Sequence, residues 1–188
     1  MDTPNWFLEL NKKYKDSILT VKESHPGELE IHLSREKIIE FLASIKEQGF
    51  NHLADLTAYD VSPLKPRFHV VYELINMSKA KRCSVIVPLK EDDMSVDTIV
   101  SLWSGANWLE REVFDMYGIN FSGHPEMRRI LMPDSFKGHP LRKDFLVDYR
   151  QQFTGDGAYK SDDDDSSTFD PFGNNEIKVE FKEEKRAD

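Results

Sequence analysis

The chain has one cysteine, Cys83, in 188 residues. A lone thiol forms no internal disulfide and cannot by itself hold a structural zinc ion or an iron–sulfur cluster. Such cysteine usage suits a reducing cytoplasm. Long apolar runs are missing too: nothing approaches the roughly 20 residues that cross a bilayer as a helix. The N-terminal stretch MDTPNWFLELNKKYK has neither a basic start nor an apolar core, so export is not expected. Basic residues are in deficit, 25 against 34 acidic ones for a net charge of −9, which argues against nucleic acid as the main partner. No nucleophile-elbow, P-loop or dinucleotide-binding pattern occurs. Cys83 itself lies in the β-rich run KRCSVIV and reads as a small core hydrophobe.

What is present is a chain with 39% apolar and 31% charged residues, enough for one folded core. A short helix is expected over Trp6–Tyr14 and a strand near Ser17–Lys22. GELEIHLS (27–34) alternates Leu29, Ile31 and Leu33 with polar neighbours, as a half-buried strand does. Ser34 then stands in N-cap position before the stripe Ile38, Phe41, Leu42 and Ile45, and Gly49 fits the stop. Strands follow at 50–61, 67–77 and 81–89, the last two close enough for a hairpin. A helical segment over Asp97–Trp103 is expected next, then a helix from an Asn107 N-cap to Tyr117 with Gly118 as its end. The order implies an α+β fold of two layers, a mixed or antiparallel sheet covered by helices on one face, with an extended C-terminal arm. Residues 1–118 form the core domain in this reading. Residues 119–150, broken by Pro125, Pro133 and Pro140, form an extended basic docking loop, and residues 151–188 an acidic tail. The tail is expected to lack order to about Thr168 and to add a short strand at Ile177–Phe181. Charge follows these divisions. Residues 123–145 hold five basic and three acidic side chains, and residues 146–188 hold six basic and twelve acidic. A cationic loop before an anionic tail suits a docking surface, or equally a solvated loop with a solubilising tail.

The helix ANWLEREVFDMYG carries the unusual chemistry. On a helical wheel Leu109, Val113, Met116 and Tyr117 share the apolar side, while Trp108, Arg111, Glu112 and Asp115 take the other. Arg111 and Asp115, four apart, can pair on the surface. Glu110 falls on the apolar side, where an unpaired carboxylate costs several kcal/mol. One of the arginines near Arg128–Arg129 or Arg142–Lys143 is therefore expected to fold back and satisfy it. The alternative is a carboxyl with a raised pKa that acts in proton transfer. The tripeptide Gly-His-Pro occurs twice downstream, at His124 and His139. Zinc would need further ligands, and the available Asp134 and Asp144 lack metal-site spacing and stand among arginines. Two turns that pin a basic loop, each presenting a basic pair, account for the repeat.

EREVFDMYGINFSGHPEMRRIL (110–131) resembles the signature of the 30 kDa-subunit family of the proton-pumping NADH:quinone oxidoreductase, respiratory complex I. Glu110, Arg111, Glu112, Asp115, Met116, Tyr117, His124, Arg129 and Ile130 fall on that signature, and MPDSFKGHPLRKDF continues the family pattern. The chain departs from the pattern at Leu146, where the family usually has proline, and in its DDDD insert. The resemblance implies a structural core subunit of the peripheral arm with no cofactor of its own and no catalytic or metal-binding residue. Flavin and iron–sulfur clusters would sit in partner subunits. Its chief neighbours would be the subunit that forms the quinone site and a cluster-bearing subunit beside it. Its place would be the cytoplasmic face of the bacterial inner membrane, held there through the complex. The residues expected at its interfaces are Glu110, Arg111, Glu112, Asp115, Tyr117, His124, Arg128, Arg129, His139, Arg142, Lys143 and Asp144. The equivalent subunit of a membrane-bound nickel–iron hydrogenase or a ferredoxin-fed relative would look alike here. A free-standing enzyme using Glu110 and His124 as an acid–base pair is the reading from another class.

Overall fold

Alternating apolar residues build the sheet. In β4 (Phe68–Asn76) the side chains of Phe68, Val70, Tyr72 and Leu74 are buried, and their β5 (Lys81–Leu89) partners Leu89, Val87, Val85 and Cys83 are buried with them. The computed structural model describes residues 4–146 and, further on, the backbone of two short strands. Its main sheet has five strands in the order β1-β2-β5-β4-β3, where β1 is Ile18–His25, β2 Glu28–Leu33 and β3 His52–Asp60. β3, β4 and β5 form an antiparallel meander, β1 pairs antiparallel with β2, and only β2 and β5 run parallel. Registry puts Ile31, Val85, Tyr72 and Leu56 in one row across the sheet.

That row faces the helices. α1 (Asn5–Lys13) supplies Phe7 and Leu10, and α2 (Ile38–Glu47) supplies Ile38, Phe41, Leu42 and Ile45 at the spacing its sequence announces. α3 (Ala106–Tyr117) adds Ala106 and Val113 to the same cluster. Truncating Phe41 to alanine in such a core costs about 3–5 kcal/mol. The opposite face of the sheet carries Glu30, His32, Glu73 and Ser84, with Tyr59 stacked on His69 at 4.9 Å. Cys83 is buried, and burial pushes its thiol well up, as expected of an inert core cysteine.

Three local expectations differ from the structure. Ser34 precedes a 3-10 turn, Arg35–Lys37, and its side chain makes no capping bond. The segment 97–103 is not a helix. Ser95–Asp97 forms β6, parallel to β7 (Asn120–Ser122), so that α3 is the crossover of a small β-α-β unit. Thr98 instead folds its hydroxyl back to the Val100 N–H, a local bond that competes with helix. α3 begins one residue before Asn107, with Gly105 at the cap position. Gly118 ends α3 as expected, in the left-handed region at φ 74°.

The chain divides into two units, residues 1–149 and 150–188. In the second, β8 (Gln152–Phe153) pairs antiparallel with β9 (Tyr159–Lys160), within a stretch expected to lack order. The strand expected at 177–181 lies outside the described residues.

Candidate functional site

α3 ends with carbonyl groups that no residue of the helix can satisfy. The loop after β7 returns to supply the donors. The second Gly-His-Pro turn lies on this end: His139 Nδ1–H donates to the Asp115 carbonyl at 3.0 Å, Leu141 N–H to Met116 at 3.1 Å, and Arg142 Nε to Tyr117 at 2.6 Å. The fit is close. A Cβ on Gly118 would stand 2.6 Å from His139 Nε2 and 2.8 Å from Arg142 Nη2. Burial lowers the His139 pKa, although the Asp115 carbonyl opposes the shift.

The first Gly-His-Pro turn lies against the other end of the same helix. Glu126 N–H donates to His124 Nδ1 at 3.0 Å, which leaves the ring hydrogen on Nε2, 3.2 Å from the Asn107 carbonyl. Both histidines therefore serve the backbone of α3. Among the described residues no group of three His, Cys, Asp or Glu side chains is placed to hold a metal ion.

Between the two turns, Arg111 and Asp115, two of the four residues that the wheel assigns to solvent, are buried under the loop. Asp115 is 0% exposed. Its Oδ2 accepts the N–H groups of Ile130, Leu131 and Met132 at 3.1, 2.8 and 2.8 Å, and its Oδ1 accepts Arg129 Nη1 at 2.9 Å. Arg111, also buried, works with the opposite polarity. It donates to the carbonyls of Arg128 and Arg129 at 3.1 and 3.2 Å and lies over the Trp108 ring. The expected Arg111–Asp115 surface pair is thus replaced by one acceptor and one donor, each taken up by the loop backbone. Glu112 stays exposed, and Tyr117 is half-buried against the core.

Glu110 is not met by an arginine. Thr98 Oγ1–H donates to its Oε2 at 2.5 Å and Ile99 N–H to its Oε1 at 2.8 Å, with His124 Nε2 3.9 Å away. The arginines are engaged elsewhere: Arg129 on Asp115, Arg142 on the helix end and over Phe68, and Arg128 on exposed Glu126. Burial, stronger than the two donors that oppose it, raises the Glu110 carboxyl from 4.5 to about 7.

A third anchor is absent from the sequence reading. Arg67, at 7% exposure, holds Asp60 through Nε at 3.1 Å and Nη2 at 2.8 Å, and also pairs with Glu91 and with Asp144 at 2.9 Å. Lys143 N–H donates to Asp60 at 2.9 Å, and its Nζ to the Ser62 carbonyl at 3.1 Å. The Arg67 guanidinium holds the Asp60 carboxyl well below the usual carboxylate range. Asp60 and Arg67 flank the VSPLKP loop seven positions apart, and that spacing gives no sign of a partner more than 80 residues away.

Beside exposed charged side chains such as Glu126, Arg128 and Lys143, the loop also leaves apolar side chains outside. Leu131, Leu141 and Leu146 are exposed, as are Trp108 and Leu64 on the neighbouring surface. Residues 31–151 match the family described as respiratory-chain NADH dehydrogenase, 30 Kd subunit. The chain belongs to that family. Among curated members, an NADH-quinone oxidoreductase subunit of Geobacter sulfurreducens is 41% identical over 140 residues, covering 73% of this chain and 86% of the relative. Subunit 5 of the Thermus thermophilus enzyme is 40% identical over 148 residues, 74% of this chain and 72% of its own. A solved trypsin-resistant fragment (1-134) of Nqo5 superposes with a TM-score of 0.57 at 35% identity, over 64% of this chain and 98% of the fragment. A chain of the membrane-bound sulfane sulfur reductase, an archaeal respiratory membrane complex, gives a TM-score of 0.64 at 27% identity, over 74% of this chain and 82% of its own. The 30 kDa-subunit family thus covers both the sheet from β2 onward and the loop sewn to α3.

Proposed function

We propose that this chain is a structural core subunit of the peripheral arm of an NADH:quinone oxidoreductase, without a cofactor or catalytic step of its own. It supports electron transfer from NADH to quinone, coupled to proton translocation, by holding cofactor-bearing subunits in place. The observation that carries this reading is the loop 123–145. Arg129, Arg142, both histidines and much of its backbone are spent on α3, and Lys143 and Asp144 on the Asp60–Arg67 pair, while Leu131, Leu141 and, on α3, Trp108 are exposed. A loop fixed to the fold by its buried polar groups, with leucines exposed among charged side chains, suits protein contact, where burying such leucines supplies the affinity. The names of the relatives support the same assembly. The subunit that forms the quinone site is the partner assigned to the loop. A cluster-bearing subunit lies adjacent, and the whole sits on the cytoplasmic face of the membrane. Among the described residues no helix is long and apolar enough to span a bilayer, so attachment would run through the complex. The hydrogenase-type alternative is not favoured, with identities of 40–42% to NADH-quinone oxidoreductase subunits against 27% to the sulfur reductase.

Replacing Arg142 by alanine tests the reading. It removes one of the three donors to the end of α3 without changing the outer leucines. The amount of assembled complex in membranes should fall, while NADH:quinone turnover per assembled complex stays near wild type. Normal assembly with defective turnover would contradict a structural role.

A further inference from the structure

Glu110 is a buried acid that loop docking does not use. Its side chain is 0% exposed, and three elements close around it. The turn after β6 supplies the Thr98 hydroxyl and the Ile99 amide. The loop after β7 supplies His124, 3.9 Å from Oε2. β4 supplies Tyr72, whose fully buried hydroxyl has no partner and whose ionisation is opposed by burial and by the charges of Glu110 and Asp97. No lysine or arginine pairs with Glu110 among the described residues. Two neutral donors and a phenol cannot neutralise a carboxylate, and a neutral carboxyl fits the site without charge.

His124 is the member of this set that belongs to the loop. Its ring ties the Gly123–Glu126 turn to α3, accepting the Glu126 N–H on one nitrogen and donating to the Asn107 carbonyl from the other. A carboxylate at Glu110 needs either water or an imidazolium beside it. Water enters if the turn lifts away. An imidazolium needs a proton on Nδ1, which displaces the Glu126 N–H. Either response loosens the turn.

We propose that Glu110 is a proton-binding site, occupied while the 123–126 turn is seated and emptied as that turn opens. The proton resides on the Glu110 carboxyl; on Oε2 it would reverse the 2.5 Å hydrogen bond that the Thr98 hydroxyl donates to a carboxylate there. On opening it passes to solvent, and the carboxylate left behind is hydrated.

The test uses the full chain, labelled with carboxyl carbon-13 glutamate, with Glu110→Gln as assignment and control. The Glu110 resonance should titrate above pH 6. Amide exchange at Glu126, corrected for the intrinsic rate, should report an opening equilibrium that rises about tenfold from pH 6 to 9 in wild type and stays flat in Glu110→Gln. Titration in the ordinary carboxylate range would overturn the proposal, as would pH-independent opening in wild type or an equal rise in the variant. If Glu110→Gln does not fold, the wild-type titration and exchange profile decide by themselves.

Discussion

Asp115→Ala should be the most damaging single change in the loop anchor. Asp115 is 0% exposed, and its partner Arg129 has a side chain at 14%. Removing one member of a buried ion pair costs about 3–5 kcal/mol, because the other is left uncompensated. Arg129 keeps a bond to the Gly138 carbonyl and some access to water, which places the loss near the lower end, about 3 kcal/mol. The amides of Ile130, Leu131 and Met132 lose their acceptor too, but Leu131 is exposed and water can replace part of it. With a urea dependence of about 1–3 kcal/mol per molar, the unfolding midpoint of the full chain should drop by at least about 1 M. Arg129→Ala combined with Asp115→Ala should cost less than the sum of the two singles, with a coupling on the order of 1–3 kcal/mol. A loss below about 1 kcal/mol for Asp115→Ala, or additivity within about 0.5 kcal/mol, would refute the view of Asp115 as the hub of the loop.

Gly118→Ala should destabilise the chain more than a helix-end glycine ordinarily would. The added methyl group meets both the left-handed backbone angle and the His139 and Arg142 side chains, so thermal unfolding should move down by several degrees, and a shift under about 2 °C would argue against the close fit. Glu110 makes stability depend on pH with a defined sign. Its carboxyl rises from 4.5 unfolded to about 7 folded, so its contribution is complete below about pH 4.5 and is lost as pH climbs through 7, by about 3 kcal/mol in all. Urea unfolding between pH 5 and 9 should show this decline in wild type, and Glu110→Gln should remove it.

Much of the fold is legible in the sequence because period and burial agree there. The stripe Ile38, Phe41, Leu42, Ile45 and the alternation from Phe68 to Leu74 each leave one arrangement that hides the apolar side. The anchor on α3 is less legible for a physical reason. A helical wheel sorts residues by polarity, whereas Arg111 and Asp115 are buried by a polar loop whose amides and carbonyls they satisfy. The information lies in the backbone of residues 128–132, where side-chain identity is silent. Glu110 shows the converse. The wheel places it correctly inside, yet its partners are a threonine hydroxyl and one amide of the turn before α3, and basic residues in the downstream loop suggest an ion pair that does not form. The repeated Gly-His-Pro is readable as two turns. That both rings would clasp one helix follows only once the loop is seen to double back along it.

The most direct test of the structural role is gentle affinity purification of the tagged full-length chain from its native membranes, with identification of what comes with it. Flavin- and cluster-bearing subunits, together with the quinone-site subunit in constant ratio, are the expected result. Recovery of the chain alone, or with hydrogenase subunits in place of NADH-oxidising ones, would contradict it.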